Sequence, residues 1–162
     1  MLNVPIFRQT DDSRCGPACI KMVLSYYGLE VTEDEVCERC NWTYELGCTD
    51  IQMKAAIESY GFKCHVKEDT TLEDLEYLVS IGVPVIVNWF STDCGHSSIV
   101  VDIDEQGVYL LDPEIGDVRS FPRDVFLRVW LDWREDPYLQ RCEDLILRQS
   151  LVLEQIANEK QK

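Results

Sequence analysis

Three things are scarce in this sequence of 162 residues. Histidine occurs only twice, at His65 and His96. Positive charge is short: 15 lysines and arginines stand against 30 aspartates and glutamates, for a formal net charge of −15. Long apolar runs are missing, since the best candidate, VPVIVNWF, has the length of a strand, whereas a bilayer span needs roughly 20 residues. Each shortage excludes something. A chain this acidic repels nucleic-acid phosphates and anionic membrane surfaces, and is compatible with a basic peptide partner. The opening MLNVPIFRQTDD has neither the basic region nor the apolar stretch of a signal peptide. Without an export signal the eight cysteines read as reduced thiols and not as a disulfide framework. The expectation is a soluble, cytoplasmic protein with no membrane segment and no nucleic-acid partner. Hydrophobic residues at 46% make the chain globular, and its length suits one domain.

What is present begins with QTDDSRCGPACIKMVLSYYG, residues 9–28. Asp11, Asp12 and Ser13 are N-cap types, and Pro17 suits the first turn of a helix. Ile20, Val23, Leu24 and Tyr27 fall on one helical stripe, and Gly28 stands where a helix stops. Cys15 is therefore expected at a helix N-terminus, where exposed N–H groups and the dipole favour a thiolate. A cysteine in this position is more often a small buried hydrophobe. The partners change the odds. His96 opens an apolar run, HSSIVVDID, and Asp112 closes another, GVYLLDP. Gln9 stands six residues before Cys15. A nucleophile, a base, a group to orient the base and an amide donor are all available. Asp102 and Asp104 compete with Asp112 for the orienting role.

Gln-x5-Cys-Gly-Pro-Ala-Cys, then Gly-His before an apolar strand, then an apolar strand ending in Asp-Pro, resembles the C39-like branch of the papain-fold cysteine peptidases. That branch includes the bacteriocin-processing, double-glycine leader peptidase domains. The resemblance runs from about Val4 to about Phe121. It implies Cys15 as nucleophile, His96 as base, Asp112 as orienting residue and Gln9 as oxyanion-hole donor. It also implies a peptide or protein substrate, with small residues such as Gly-Gly before the cleaved bond. Two other outcomes use the same fold: a catalytically silent peptide-binding module, and an acyl transferase.

The remaining pattern is α+β: helices first, then an antiparallel sheet. Val4 to Phe7 reads as a short extended lead-in. Thr32 with Glu35 and Thr71 with Asp74 form capping-box patterns that open two helices. A third helix starts at Cys48 or Thr49, with Ile51, Ala55 and Ile57 expected on its buried side and Gly61 as its stop. Phe62 to Val66, VPVIVNWF, HSSIVVDID, GVYLLDP and residues 117–121 read as strands, VPVIVNWF being central. Trp89, Phe90 and Gly95 are candidates to line a peptide groove. Residues 1–136 are expected to form the peptidase domain. Residues 137–162 are expected as a C-terminal helical extension opening at Pro137, its stripe carried by Leu139, Cys142, Leu145, Ile146, Val152, Leu153 and Ile156. That helix is a candidate surface for a homodimer. Cys37 and Cys40 make a CxxC, but no second CxxC or histidine pair stands at ligand spacing, so no metal and no cofactor is expected. Cys19 is expected in the core, His65 as a structural residue, and Cys94 as a thiol sharing a side with His96.

Overall fold

The computed structural model describes residues 1–92, 94–133 and 142–156. The first half is helical: α1 Cys15–Tyr26, α2 Glu33–Arg39 and α3 Asp50–Ser59, then β1 Phe62–Lys67 and α4 Leu72–Ser80. The second half is mostly strand: β2 Val85–Phe90, β3 Gly95–Ile103, β4 Val108–Asp112, β5 Asp117–Phe121, α5 Arg123–Val129, β6 Leu131–Trp133, β7 Leu145–Leu147 and β8 Ser150–Gln155.

The helix starts follow local chemistry. Thr32, Thr49 and Thr71 each accept a hydrogen bond from the backbone three residues on, while Glu35, Gln52 and Asp74 reach back, giving three complete capping boxes. α1 differs from expectation. Its N-cap is Arg14, with no side-chain cap; Asp11, Asp12 and Ser13 stand in the loop before it. Gly28, Gly61 and Gly82 follow their helices at φ 83°, 85° and 85°, a backbone that side chains with a Cβ rarely adopt.

Six strands form one antiparallel sheet in the order β1-β8-β2-β3-β4-β5, and β6 and β7 form a small second ribbon. Helices cover both faces. Ile20, Val23 and Leu24 of α1, Val36 of α2 and Met53, Ala56 and Ile57 of α3 pack with Ile86, Ile99 and Leu111 of the sheet. On the other face Leu75 and Val79 of α4, with Phe126 and Trp130, pack with Val85, Val87, Val100 and Leu110. β2 sends alternate side chains into each core, which is why its sequence is apolar throughout. Ile51 and Ala55, expected inside, face out, and Ile51 is 75% exposed. The buried side of α3 is Met53–Ala56–Ile57 instead, spaced three and four residues apart on one helical face that packs into the first core. The Val4 lead-in joins no sheet, although Leu2 N–H donates to the Val101 carbonyl at 2.7 Å.

The tail is the main correction. Pro137 and Leu139 lie outside the described residues. Residues 142–156 are no helix: a short 3-10 turn at Cys142–Asp144 leads into β7 and then β8. β8 sits between β1 and β2, pairing six residues with β1 and three with β2. Ser150, Leu151 and Leu153 are buried there. A helix in this place would leave the backbone groups of β1 without a ladder. The expected helical extension, and a homodimer formed through it, lose their basis. Among the described residues no helix is long and apolar enough to cross a membrane.

Candidate active site

Cys15 is the first residue of α1, so its backbone N–H has no partner within the helix. The residue is partly exposed, and its sulfur lies within hydrogen-bonding reach of the His96 ring and of Ser97. His96 is the second residue of β3 and is 7% exposed. Its Nε2 pairs with Asp112 Oδ1 at 2.7 Å, which leaves Nδ1 as the ring nitrogen for the sulfur. Asp112 ends β4, is fully buried, and accepts the Glu114 N–H at 2.9 Å. Sequence positions 15, 96 and 112 thus meet at one end of the sheet.

The electrostatics fit an ion pair. Burial raises the Cys15 pKa, but the hydrogen bond and charge of His96, with help from Ser97, bring it below the ordinary thiol value. Burial works against the His96 imidazolium, yet Asp112 and then Cys15 hold the proton and push the pKa up to about 10. Asp112 is held below its usual range: burial raises it most, and the hydrogen bond and charge of His96, the Glu114 N–H and the charge of Arg119 together outweigh that.

The competitors are occupied elsewhere. Asp102 pairs with the N-terminal amine at 3.0 Å. Asp104 accepts the Gln106 and Gly107 N–H groups of the β3–β4 turn. Gln9 donates its backbone N–H to the Pro113 carbonyl at 2.9 Å and one amide hydrogen to Asp11 at 2.9 Å. Its Oε1 is buried with no partner among the described residues.

A cavity of about 330 Å³ opens beside the pair, bounded by Cys15, residues 44–50, Gly95, Asp132 and Gln149. Gly95 is part of the lining. Trp89 and Phe90 do not belong to its lining. Trp89 is 3% exposed, donates Nε1 to Ser98 Oγ at 3.0 Å, and packs edge-on against His96 with ring centres 5.4 Å apart. The alternation of β2 sends it into the second core. Phe90 packs on Trp133, which does line the cavity. Gly95 has a further reason to be glycine, since a Cβ there would stand 2.5 Å from Asp132 Oδ1.

Several residues at the site carry little signal in sequence. Ser97 Oγ donates to Asn88 Oδ1 at 2.8 Å, Asn88 Nδ2 to Gln149 Oε1 at 3.0 Å, and Gln149 Nε2 to Asp50 Oδ2 at 3.0 Å. A carboxylate only accepts, so Asp50 fixes the direction of the whole chain. Arg119 donates Nε to Asp112 Oδ2 at 2.7 Å. Adjacency to His96 could have flagged Ser97; nothing in the sequence marks Gln149 or Arg119.

Cys37 and Cys40 are buried, and burial pushes Cys37 up to about 11, as for a structural thiol. Cys19 is likewise fully buried. His65 pairs with Glu154 across β1 and β8 at 2.6 Å. Among the described residues, His96, Asp112 and Glu114 come close enough together to hold a metal ion. Both oxygens of Asp112 already serve His96 and Arg119.

A sequence profile of the peptidase C39 family matches residues 3–132. The chain belongs to that family, and it shares the papain-like fold of C39 peptidase domains. Over 118 residues it is 27% identical to the lactococcin-G-processing and transport ATP-binding protein LagD of Lactococcus lactis subsp. lactis, covering 71% of this chain and 16% of that protein. The chain thus spans only a small part of that transporter's length. Over 126 residues it is 30% identical to an uncharacterized protein of Methanothermobacter thermautotrophicus, covering 77% and 82% of the two chains. Among solved structures it is similar to a double glycine motif protease from an AMS/PCAT transporter in complex with its leader peptide. The TM-score is 0.71 and the identity 21%, over 95% of this chain and 93% of that one.

Proposed function

We propose that this protein is a cysteine peptidase that hydrolyses a peptide bond, or a related amide, through an acyl-enzyme on Cys15. The observation that carries this reading is the linked set of contacts from the Cys15 sulfur to His96, and from His96 Nε2 to the buried Asp112 at 2.7 Å. The thiolate attacks the carbonyl carbon, and His96 gives its proton to the leaving amine. With the amine gone, His96 accepts a proton from water, which attacks the thioester and frees Cys15. Asp112 keeps the imidazole in the tautomer that presents Nδ1 to the sulfur. The Cys15 N–H and the second amide hydrogen of Gln9 are the donors for the oxyanion; one such donor is typically worth about 100- to 1000-fold in rate.

The substrate is a peptide or protein. That the structural relative is a double glycine motif protease supports small residues before the cleaved bond. The cavity supports a basic partner: Asp12, Glu45, Asp50 and Asp132 line it, with no lysine or arginine among the described lining residues. A cytoplasmic location fits, because a reducing compartment keeps Cys15 a thiol.

The test is digestion of an unbiased peptide library by the wild type and by Cys15→Ala, followed by mass spectrometry. Cleavage that vanishes in Cys15→Ala supports the reading. No cleavage by the wild type, with iodoacetamide labelling Cys15 at pH 6 to 7 no faster than an exposed thiol, leaves a peptide-binding module instead. An added primary amine captured in place of water would mark an acyl transferase.

A further inference from the structure

Asp112 is a shared carboxylate. Oδ1 accepts from His96 Nε2 at 2.7 Å and from the Glu114 N–H at 2.9 Å, and Oδ2 accepts from Arg119 Nε at 2.7 Å. A fully buried anion that faces two cations holds each less strongly than it would hold one alone. Arg119 is itself fixed. Its Nη2 reaches Glu114 Oε2 at 3.2 Å, and its guanidinium carbon lies 5.7 Å from the centre of the Trp89 ring, which packs against His96. The β4–β5 register sets Arg119 opposite Leu110, two residues from Asp112 and on the same side of the sheet.

We propose that Arg119 is a positioning residue for the His96–Asp112 pair: by taking one oxygen of the carboxylate, its guanidinium limits how tightly that carboxylate holds the proton on His96. This rests on the roles proposed for Cys15, His96 and Asp112. The consequence is chemical. His96 must surrender its proton to the leaving amine, and an imidazolium facing an unshared buried carboxylate is a poorer acid. The charged and titratable groups around the pair are Cys15 and Cys19 from α1, Glu114 from the turn after β4, and Arg119 from β5. Burial keeps Cys19 a neutral thiol. Arg8 donates Nε to the Glu114 carbonyl at 3.0 Å, and Arg119 is the cation that, with His96, bonds Asp112 itself.

The experiment is an NMR titration of the His96 ring in the full chain carrying Cys15→Ala, so that no thiolate contributes. The sequence has two histidines, and a His65→Gln version assigns the signals. Arg119→Gln is expected to raise the His96 midpoint by about one pH unit or more, as loss of a nearby cation should. Arg119→Lys, which keeps the charge, is expected to stay within about half a unit of Arg119. An unchanged or lowered midpoint in folded Arg119→Gln overturns the proposal, even if the variant melts earlier. So does an Arg119→Lys midpoint that rises as far as that of Arg119→Gln. If Arg119→Gln does not fold, Arg119→Met fills the space over Trp89 without charge and carries the same expectation. The readout needs no substrate, so a wild type that cleaves nothing would overturn the peptidase reading and leave this one standing.

Discussion

His65 and His96 are both strand histidines, and each sits on a carboxylate: Glu154 at 2.6 Å and Asp112 at 2.7 Å. Their surroundings differ. The His65 and Glu154 side chains are 46% and 58% exposed, on the β1–β8 side of the sheet. His96 and Asp112 are 7% and 0% exposed, between β3 and β4 and against the start of α1. Water screens the first pair, so its geometry has little effect on reactivity. The second pair is withdrawn from water and joined by a sulfur and a guanidinium, so the same bond sets protonation states. The distance is shared, and the burial decides the chemistry.

Four changes would break or sharpen this contrast. The largest effect is expected from Asp112→Asn, which removes the charge that holds the His96 tautomer: kcat/KM on a peptide found by the library screen should fall by about 100- to 10,000-fold. The pH profile comes next. The reactive pair exists once Cys15 has lost its proton and until His96 loses its own. Because the Cys15 pKa is lowered and that of His96 is pushed up to about 10, kcat/KM should climb on the acid side, stay high through neutrality, and fall as pH approaches about 10. An early fall near pH 7 would show that Asp112 does not hold the imidazolium. Third, Gln149→Ala leaves Asn88 Nδ2 buried and unpaired, which should cost about 1–3 kcal/mol in a denaturant melt. The smallest effect is at the other histidine. His65→Gln should change neither kcat/KM nor the acid and alkaline limbs; a shift in either limb would mean that the two regions are coupled.

Much of this was legible in the sequence. The Gln9-Cys15, Gly95-His96 and Asp112-Pro113 motifs lie at chain positions where local grammar is strong: a helix start, a strand start and a strand end. The capping boxes at Thr32 and Thr71 are also local, and they fix their helix starts. The tail was not legible. Leu145, Ile146, Val152 and Leu153 can be placed on a helical stripe, yet Leu151 and Leu153 alternate into a sheet core that exists only once β1 and β2 flank them. Gln149 was missed for the same reason. Arg119 was missed because its partner lies on a neighbouring strand, and register across a turn is a property of the sheet. Trp89 was expected at a groove because it lies near His96 in the chain, but strand alternation carries it into the second core.

By itself the sequence determined the chemical inventory: one cysteine poised at a helix start, two histidines, an Asp-Pro strand end, and helices bounded by their caps. These rest on contacts within a few residues, which chain order alone can specify. Only the tertiary structure decided that the sulfur, the imidazole and the carboxylate meet in one corner, with Arg119 on the carboxylate and Gln149 lining the cavity beside it. Protonation depends on burial and on the charges that surround a group, and those are set by elements far apart in the chain.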